Sequence, residues 1–190
     1  MSEPRHVAGE EALALAGAAR LFGDLLLVEL DDARLEALGA PEPAALLGDL
    51  GVEVPEARGA VAVDELAAEY HAAFLRPDGG GAPPIASLWT EGRFEGDIAR
   101  RTRELAESAA LEFGAEAARG APRDHLGALL HLWAASVERA PWVADELAEQ
   151  HLAWADAPLR RVAGGGGFYG QVAAAALSLL GELRGTRVGA

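Results

Sequence analysis

The sequence of 190 residues contains neither cysteine nor lysine, and it has a single methionine. The absence of cysteine excludes a disulfide framework, a thiolate metal site and a cysteine nucleophile. The absence of lysine excludes a Walker-type phosphate loop, which needs a lysine after its last glycine. The glycine run at 164–167 is therefore predicted to be a flexible linker. No apolar stretch is long and uncharged enough to cross a bilayer, so stable membrane insertion is not expected.

Basic residues are scarce: 16 stand against 30 acidic residues, which gives a formal net charge of −14. The excess is uneven, because residues 1–95 carry a net charge of −12 and residues 96–190 only −2. An acidic field repels nucleic-acid phosphates and anionic lipid, so no nucleic-acid partner is expected. An acidic excess can serve solubility, and it can also attract a basic partner. Both interpretations stay open.

The opening segment, MSEPRHVAGEEALALAG, is not expected to act as an export signal. It has no basic region followed by an uninterrupted apolar stretch, no cleavage site and no twin arginine. Together with the absence of cysteine, this predicts a cytoplasmic location.

Apolar residues recur at helical spacing along most of the chain. One such stripe consists of Leu15, Ala18, Ala19, Phe22, Leu25 and Leu26. The cleanest stripe consists of Leu126, Leu129, Leu130, Trp133 and Val137. The pattern predicts an all-α, single-domain bundle of about seven to nine helices over residues 1–190, with a core from about 12 to 183.

Two helix boundaries can be assigned from local residue types. Asp31 or Asp32 is predicted to cap a short helix that ends at Gly39, because aspartate is a preferred N-cap and glycine a preferred stop. A charged helix is predicted to run from Asp97 to Gly114.

A loop rich in proline and glycine, at 77–87, interrupts the helical pattern. Its prolines favour an extended backbone, and Ile85, Leu88 and Trp89 supply apolar side chains in and just after it. These residues could form one wall of a groove for a partner segment, or the loop could simply pack over the core.

The Asp124–His125 pair begins the cleanest stripe. Asp124 is predicted to cap the helix, and neighbours that point about 100° apart make an awkward catalytic dyad. His151 lies on an apolar stripe between Leu147 and Trp154, which favours a histidine hydrogen-bonded in the core. No histidine pair has the spacing of a helical metal site, so neither metal nor cofactor is expected. A small helical enzyme with His125 or His151 as general base, or a structural subunit of a redox complex, remains an alternative.

Several segments resemble, in order, the motifs of the TorD/DmsD-like family of cytoplasmic chaperones for molybdoenzymes, also called redox enzyme maturation proteins. EYHAAFL, with Tyr70 and Phe74, is similar to the family's Tyr-x-x-x-Phe segment. PPIASLW places Pro84, Ser87 and Trp89 where the family motif has its proline, serine and final aromatic residue.

The most specific match is APRDHLG, which resembles the family's Pro-x-Asp-His-Ile/Leu-Gly motif at Asp124 and His125. EQHLAW, with His151, Trp154 and the following Pro158, is similar to the family's His-Leu-x-x-Trp-x-Pro region. FYGQVAAAALSLL resembles its terminal helix. The resemblance covers residues from about 12 to 183.

This resemblance implies a chaperone and not an enzyme. Its partner would be the catalytic subunit of a molybdopterin-containing oxidoreductase, bound through its twin-arginine leader, its apo form or both, before the cofactor is inserted and the enzyme exported. An acidic surface and an apolar groove suit the arginines and the apolar stretch of such a leader. Client contacts are expected from Tyr70, Phe74, Pro84, Ser87, Trp89, Asp124, His125, His151 and Trp154. The chaperone would be a monomer, or a dimer that swaps a helix through the glycine run.

Overall fold

Segments with a 3.6-residue apolar period alternate with glycine or proline breaks, and the computed structural model has its helices in those segments. It describes residues 5–7, 9–76, 80–112 and 120–188. The predicted all-α class is confirmed. The described part of the chain has ten α-helices, more than predicted, because five of them are only five to nine residues long. The single-domain bounds 1–190 stay a prediction.

The helices are, in chain order, α1 (Gly9–Leu27), α2 (Asp32–Leu38), α3 (Pro41–Asp49), α4 (Ala60–Tyr70), α5 (Ala86–Thr90), α6 (Asp97–Ser108), α7 (Leu126–Arg139), α8 (Pro141–Glu146), α9 (Asp156–Ala163) and α10 (Gly167–Arg184). A π-helical turn, His71–Leu75, continues α4, and another, Leu147–His151, continues α8. Two-residue strands, β1 (Arg5–His6) and β2 (Thr186–Arg187), pair in parallel.

The chain divides into two compact units. The first consists of Met1–Leu27, Pro84–Asp156 and Ser178–Ala190, and the second of Val28–Pro83 and Ala157–Leu177. Within the described residues, no helix is both long and apolar enough to cross a membrane.

In the first unit, α1 packs along α7, and two glycines allow the close approach. A Cβ placed on Gly127 would lie 2.6 Å from the backbone oxygen of Gly23 and 2.5 Å from Cγ of Leu27. Beside them, Nε2 of His131 lies 3.0 Å from Oδ1 of Asp24. The predicted stripe of α7 is fully buried at Leu126, Leu129 and Leu130. It therefore forms the centre of the first unit's core.

In the second unit, short helices surround an aromatic cluster. The rings of Tyr70 and Phe74 lie 5.1 Å apart, and Tyr169 lies 5.2 Å from the first and 5.8 Å from the second. All three side chains are at most 5% exposed. Tilted and edge-on arrangements at these distances stabilise a core beyond the burial of apolar area alone.

The two predicted boundaries have different outcomes. The predicted cap of α2 is confirmed, because Oδ1 of Asp31 accepts a hydrogen bond from the Arg34 amide at 2.8 Å and Gly39 follows the last turn. The predicted end of the charged helix is wrong. That helix, α6, ends at Ser108, where Ala110 adopts a positive φ of 51° and the Leu111 amide bonds back to Ala106. Gly114 lies outside the described residues.

Candidate functional site

The end of the proline loop is joined by backbone hydrogen bonds to the segment before α7. The amide of Leu126 donates to the Pro84 carbonyl at 2.8 Å, and the amide of Ala86 donates to the Asp124 carbonyl at 3.1 Å. Ile85 and His125 form the antiparallel bridge between them. The two most characteristic sequence motifs, separated by more than thirty residues of chain, thus form one structural unit.

Asp124 caps α5 and not α7, which corrects the prediction from sequence. Its Oδ2 accepts a hydrogen bond from the Ser87 amide, in the first turn of α5, at 2.7 Å. The side chain of Asp124 is wholly buried, and Oδ1 has no hydrogen-bond partner among the described residues. The bridge between Ile85 and His125 places Asp124 beside the start of α5. The amides of a first helical turn have no acceptor within their own helix, and here Asp124 supplies one.

The N-cap of α7 is His125. Its backbone is extended, with φ −70° and ψ 132°, and Nδ1 accepts a hydrogen bond from the Gly127 amide at 3.2 Å. Burial lowers the pKa of His125 to about 4, against a smaller opposing effect of the neighbouring Asp124 carboxylate. The ring is therefore neutral at pH 7, with its proton on Nε2 and its lone pair on Nδ1 already used. No lone pair remains for a general base at this position.

His151 is also a buried histidine with a defined hydrogen bond. Its Nδ1 lies 3.1 Å from Oγ1 of Thr102, which donates its own proton to the Ile98 carbonyl at 3.0 Å. Because that hydroxyl has one proton, Nδ1 of His151 is the donor and Nε2 is the remaining acceptor. Burial, and then the charge of Arg101, lowers the pKa of His151. The predicted core histidine is confirmed.

A cavity of about 280 Å³ in the first unit borders His151. Its lining residues are Ile98, Arg101, Glu104, Leu105, Glu146, Gln150 and His151. Trp154, three residues after His151, is half-buried. Its Nε1 donates a hydrogen bond to the His151 carbonyl at 2.7 Å. The indole therefore fixes the backbone at the end of the π-helical turn.

The remaining predicted site residues differ in exposure. Tyr70 and Phe74 belong to the aromatic cluster of the second unit, where burial and the charge of Glu29 raise the pKa of Tyr70 to about 12. Pro84 and Ser87 are buried in the first unit, whereas Trp89, on α5, is 37% exposed. Among the predicted residues, Trp89 has the most accessible apolar side chain.

A model of the nitrate reductase delta subunit family matches residues 35–159, about two thirds of the 190-residue chain. The chain belongs to the nitrate reductase delta subunit family. This family comprises TorD-like redox enzyme maturation chaperones, so the resemblance seen in the motifs is confirmed. Neither curated proteins nor solved structures include a significant match.

Membership of the nitrate reductase delta subunit family supports the general role of a molybdoenzyme maturation chaperone, and the family consists of maturation factors. All of the predicted site residues fall inside the matched residues 35–159. The individual contacts of those residues with a client stay a prediction.

Sequence reasoning missed two carboxylates that cap helices in this nitrate reductase delta family member. Glu91 accepts hydrogen bonds from the amides of Asp97 and Ile98, at 2.9 and 3.0 Å, at the start of α6. These amides, followed by Arg93, lower the pKa of Glu91. The only local signal is Gly96, whose missing side chain leaves room for the Glu91 carboxylate.

The second missed carboxylate explains part of the glycine run. Oε1 of Glu69 accepts a hydrogen bond from the Tyr169 amide at 2.6 Å, in the first turn of α10. Gly167 has a φ of 73°, and a Cβ there would lie 2.5 Å from the same oxygen. The predicted linker thus forms a turn between α9 and α10, in which Gly167 is required.

Proposed function

We propose that this protein is a cytoplasmic chaperone that binds the catalytic subunit of a molybdopterin-containing oxidoreductase, through its twin-arginine leader, its apo form or both. Binding would hold the client until its cofactor is inserted and would delay export. The family match over residues 35–159 carries this proposal, because the members of that family are maturation factors.

The geometry around α5 suggests how the motif residues serve this function. Asp124 holds the first turn of α5 through the Ser87 amide, and the backbone bridge fixes the approach to it. Trp89, on the same helix, is partly exposed. In our proposal the buried motif residues keep α5 in place, and Trp89 provides an apolar contact for the client.

The charge of the chain supports a basic partner segment. A net charge of −14 attracts arginines over a distance of about one Debye length, which is roughly 10 Å at 0.1 M salt. A twin-arginine leader carries such charges beside an apolar stretch. We therefore expect its association with the chaperone to weaken as salt is added.

Affinity capture of a client tests the proposal. The tagged chain is expressed together with the molybdoenzyme encoded nearest to it, in cells that make the molybdenum cofactor and in cells that do not. We expect capture of the apoenzyme in the deficient cells and release once the cofactor is supplied. Capture of neither the apoenzyme nor its isolated leader would contradict the proposal, and permanent association with the mature enzyme would indicate a structural subunit.

A pair of tryptophan variants tests the role of α5 in the same assay. Trp89→Ala should weaken client capture about tenfold, since a partly exposed indole at an interface typically contributes on the order of 1–2 kcal/mol. Trp142→Ala is the matched control, because Trp142 is 52% exposed on α8 of the same unit. Equal loss in both variants would contradict a specific role for Trp89.

A further inference from the structure

A groove of about 700 Å³ lies in the second unit. It is lined by α3, by residues 52–56 and by the start of α10: Ala44, Gly48, Val52, Glu53, Val54, Pro55, Glu56, Gly167, Phe168 and Gln171. Its volume is within the range of protein sites that bind a small ligand. Of the sequence motifs, FYGQVAAAALSLL borders it, through Phe168 and Gln171.

Two backbone amides of the segment 52–56, those of Val54 and Glu56, could pair with another chain. The Glu53 amide donates to Oε1 of Gln171 at 2.7 Å, and Pro55 has no amide proton. Among the described residues, no group accepts a hydrogen bond from the amides of Val54 or Glu56. Since Pro55 favours an extended backbone at Val54, and amides alternate sides in an extended chain, these two amides share an edge.

The charged residues that line the groove are all acidic, and the guanidinium of Arg58, which follows the segment, donates to the Pro55 and Ala57 carbonyls. Glu53 and Glu56 are exposed acidic residues, and no lysine, arginine or histidine belongs to the lining set. The nearby start of α10 would favour an anion, but its Tyr169 amide is already bonded to the Glu69 carboxylate. Half-buried Ala44, Val54 and Pro55 provide apolar surface beside the acids, and Val52 and Phe168 are buried beneath it.

We infer that this groove binds an extended peptide that carries arginines next to apolar residues. The peptide adds as a strand along the Val54 and Glu56 amides, its arginines pair with the two glutamates, and its apolar side chains contact the walls. The inference rests on the proposed function, because the peptide that meets this description is the leader of the client.

Two variants test the groove without disturbing a buried contact. Glu53→Gln with Glu56→Gln removes its charge. Gly48→Leu fills it, because a Cβ on Gly48 meets no atom within 4 Å, and leucine suits a helix better than glycine. The control, Asp64→Asn with Glu65→Gln, removes the same charge from exposed positions on α4 of the same unit.

The probe is a fluorescein-labelled synthetic peptide with two consecutive arginines followed by a leucine-rich stretch, and its comparison peptide has glutamines in place of the arginines. By fluorescence anisotropy with the full chain, the double glutamine variant should bind the arginine peptide about fivefold more weakly than the wild type, and the comparison peptide equally well. Gly48→Leu should bind neither peptide, and the control variant should bind both as the wild type does.

Amide hydrogen exchange of the wild-type chain locates the peptide independently. Addition of the arginine peptide should slow exchange at Val54 and Glu56, because their amides gain acceptors. Unchanged exchange at these positions, or wild-type affinity in either groove variant, would overturn the inference.

The same variants in the capture assay, with the isolated leader as the client, separate this inference from the proposed function. If the groove variants capture the leader as well as the wild type does, the groove inference fails and the chaperone function stands. If the wild type captures no apoenzyme and no leader, both fail.

Discussion

At the scale of single residues, the side chain of Asp124 links two separate segments of the first unit. Its carboxylate is wholly buried and accepts the Ser87 amide of α5, and its own carbonyl accepts the Ala86 amide. A buried amide left without an acceptor costs roughly 1–3 kcal/mol. The aspartate of the sequence motif is therefore a structural link first, whatever it contributes to the client.

Substitution of Asp124 should separate its hydrogen bond from its charge. Asp124→Ala leaves the Ser87 amide without an acceptor, and we expect the free energy of unfolding to fall by about 1–3 kcal/mol in urea titrations. Asp124→Asn keeps an acceptor oxygen and should lose less. If the alanine variant were as stable as the wild type, the hydrogen bond between the two motifs would contribute nothing to the free energy of unfolding.

Protonation of His125 should destabilise the fold in acid. Its pKa is about 4 in the folded chain and about 6.5 when unfolded, so the unfolded chain binds the proton first. Stability is full above pH 6.5 and is lost as the pH falls towards 4, by at most about 3 kcal/mol. Urea titrations at several pH values measure this loss.

The matched variant for this experiment is His125→Asn, which keeps an N-cap acceptor but does not titrate. His151, whose pKa is also lowered, acts in the same direction in both proteins. The difference between wild type and variant therefore isolates His125, and a pH profile identical in the two would rule out its contribution.

Local residue roles could be predicted from the sequence, and distant ones could not. Asp31 was assigned correctly because its acceptor and the Arg34 amide are three residues apart. Asp124 was assigned to the wrong helix because its true partner, Ser87, is 37 residues away. A sequence shows which residues can cap, and only the fold shows which helix end they reach.

At the scale of helices, the contact of α1 with α7 depends on the absence of two side chains. A Cβ on Gly127 would meet the Gly23 backbone, and a Cβ on Gly23 would lie 2.7 Å from Cδ2 of His131. Backbone cannot give way as a flexible side chain can. Gly127 is therefore the less replaceable of the two glycines.

Alanine substitutions at three glycines should change the free energy of unfolding in the order of this crowding. Gly127→Ala should lower the free energy of unfolding by about 1–3 kcal/mol through overpacking, and Gly23→Ala by less. Gly17→Ala, on α1 with no atom within 4 Å of its added Cβ, is the control and should stabilise by up to about 1 kcal/mol. Thermal unfolding of the three variants checks the order, and a stable Gly127→Ala would contradict the close approach.

The apolar stripes of α1 and α7 were visible in the sequence because periodicity reports which face of a helix is buried. The helix paired with each face was not visible, and neither were the π-helical turns at His71–Leu75 and Leu147–His151. A π turn inserts a residue without changing the residue types, so no composition signal marks it. The groove at 52–56 could not be predicted from the sequence either, because it depends on which segments of the chain lie side by side.

At the scale of the whole molecule, the net charge of −14 sets how stability responds to salt. Repulsion among like charges opposes the folded state, and dissolved ions screen it. The acidic excess is therefore a cost to folding as well as an attraction for a basic client.

Stability should consequently rise with salt. Between about 0.01 M and about 0.1 M NaCl the Debye length falls from about 30 Å to about 10 Å, and we expect Tm to increase by about 2–4 °C. KCl should have the same effect, because screening depends on ionic strength alone. A Tm that falls over this range would show that favourable ion pairs outweigh the repulsion.

The bridge between Ile85 and His125 also has a consequence for the order of events during synthesis. The ribosome releases Ala86–Thr90 well before Asp124, so the Ser87 amide lacks its carboxylate acceptor until the chain has grown to Asp124, 37 residues after Ser87. Closing a loop of this length is entropically unfavourable until both ends can bond. The motif that marks the family is thus completed late, and a nascent chain that stops short of Asp124 lacks the cap of α5.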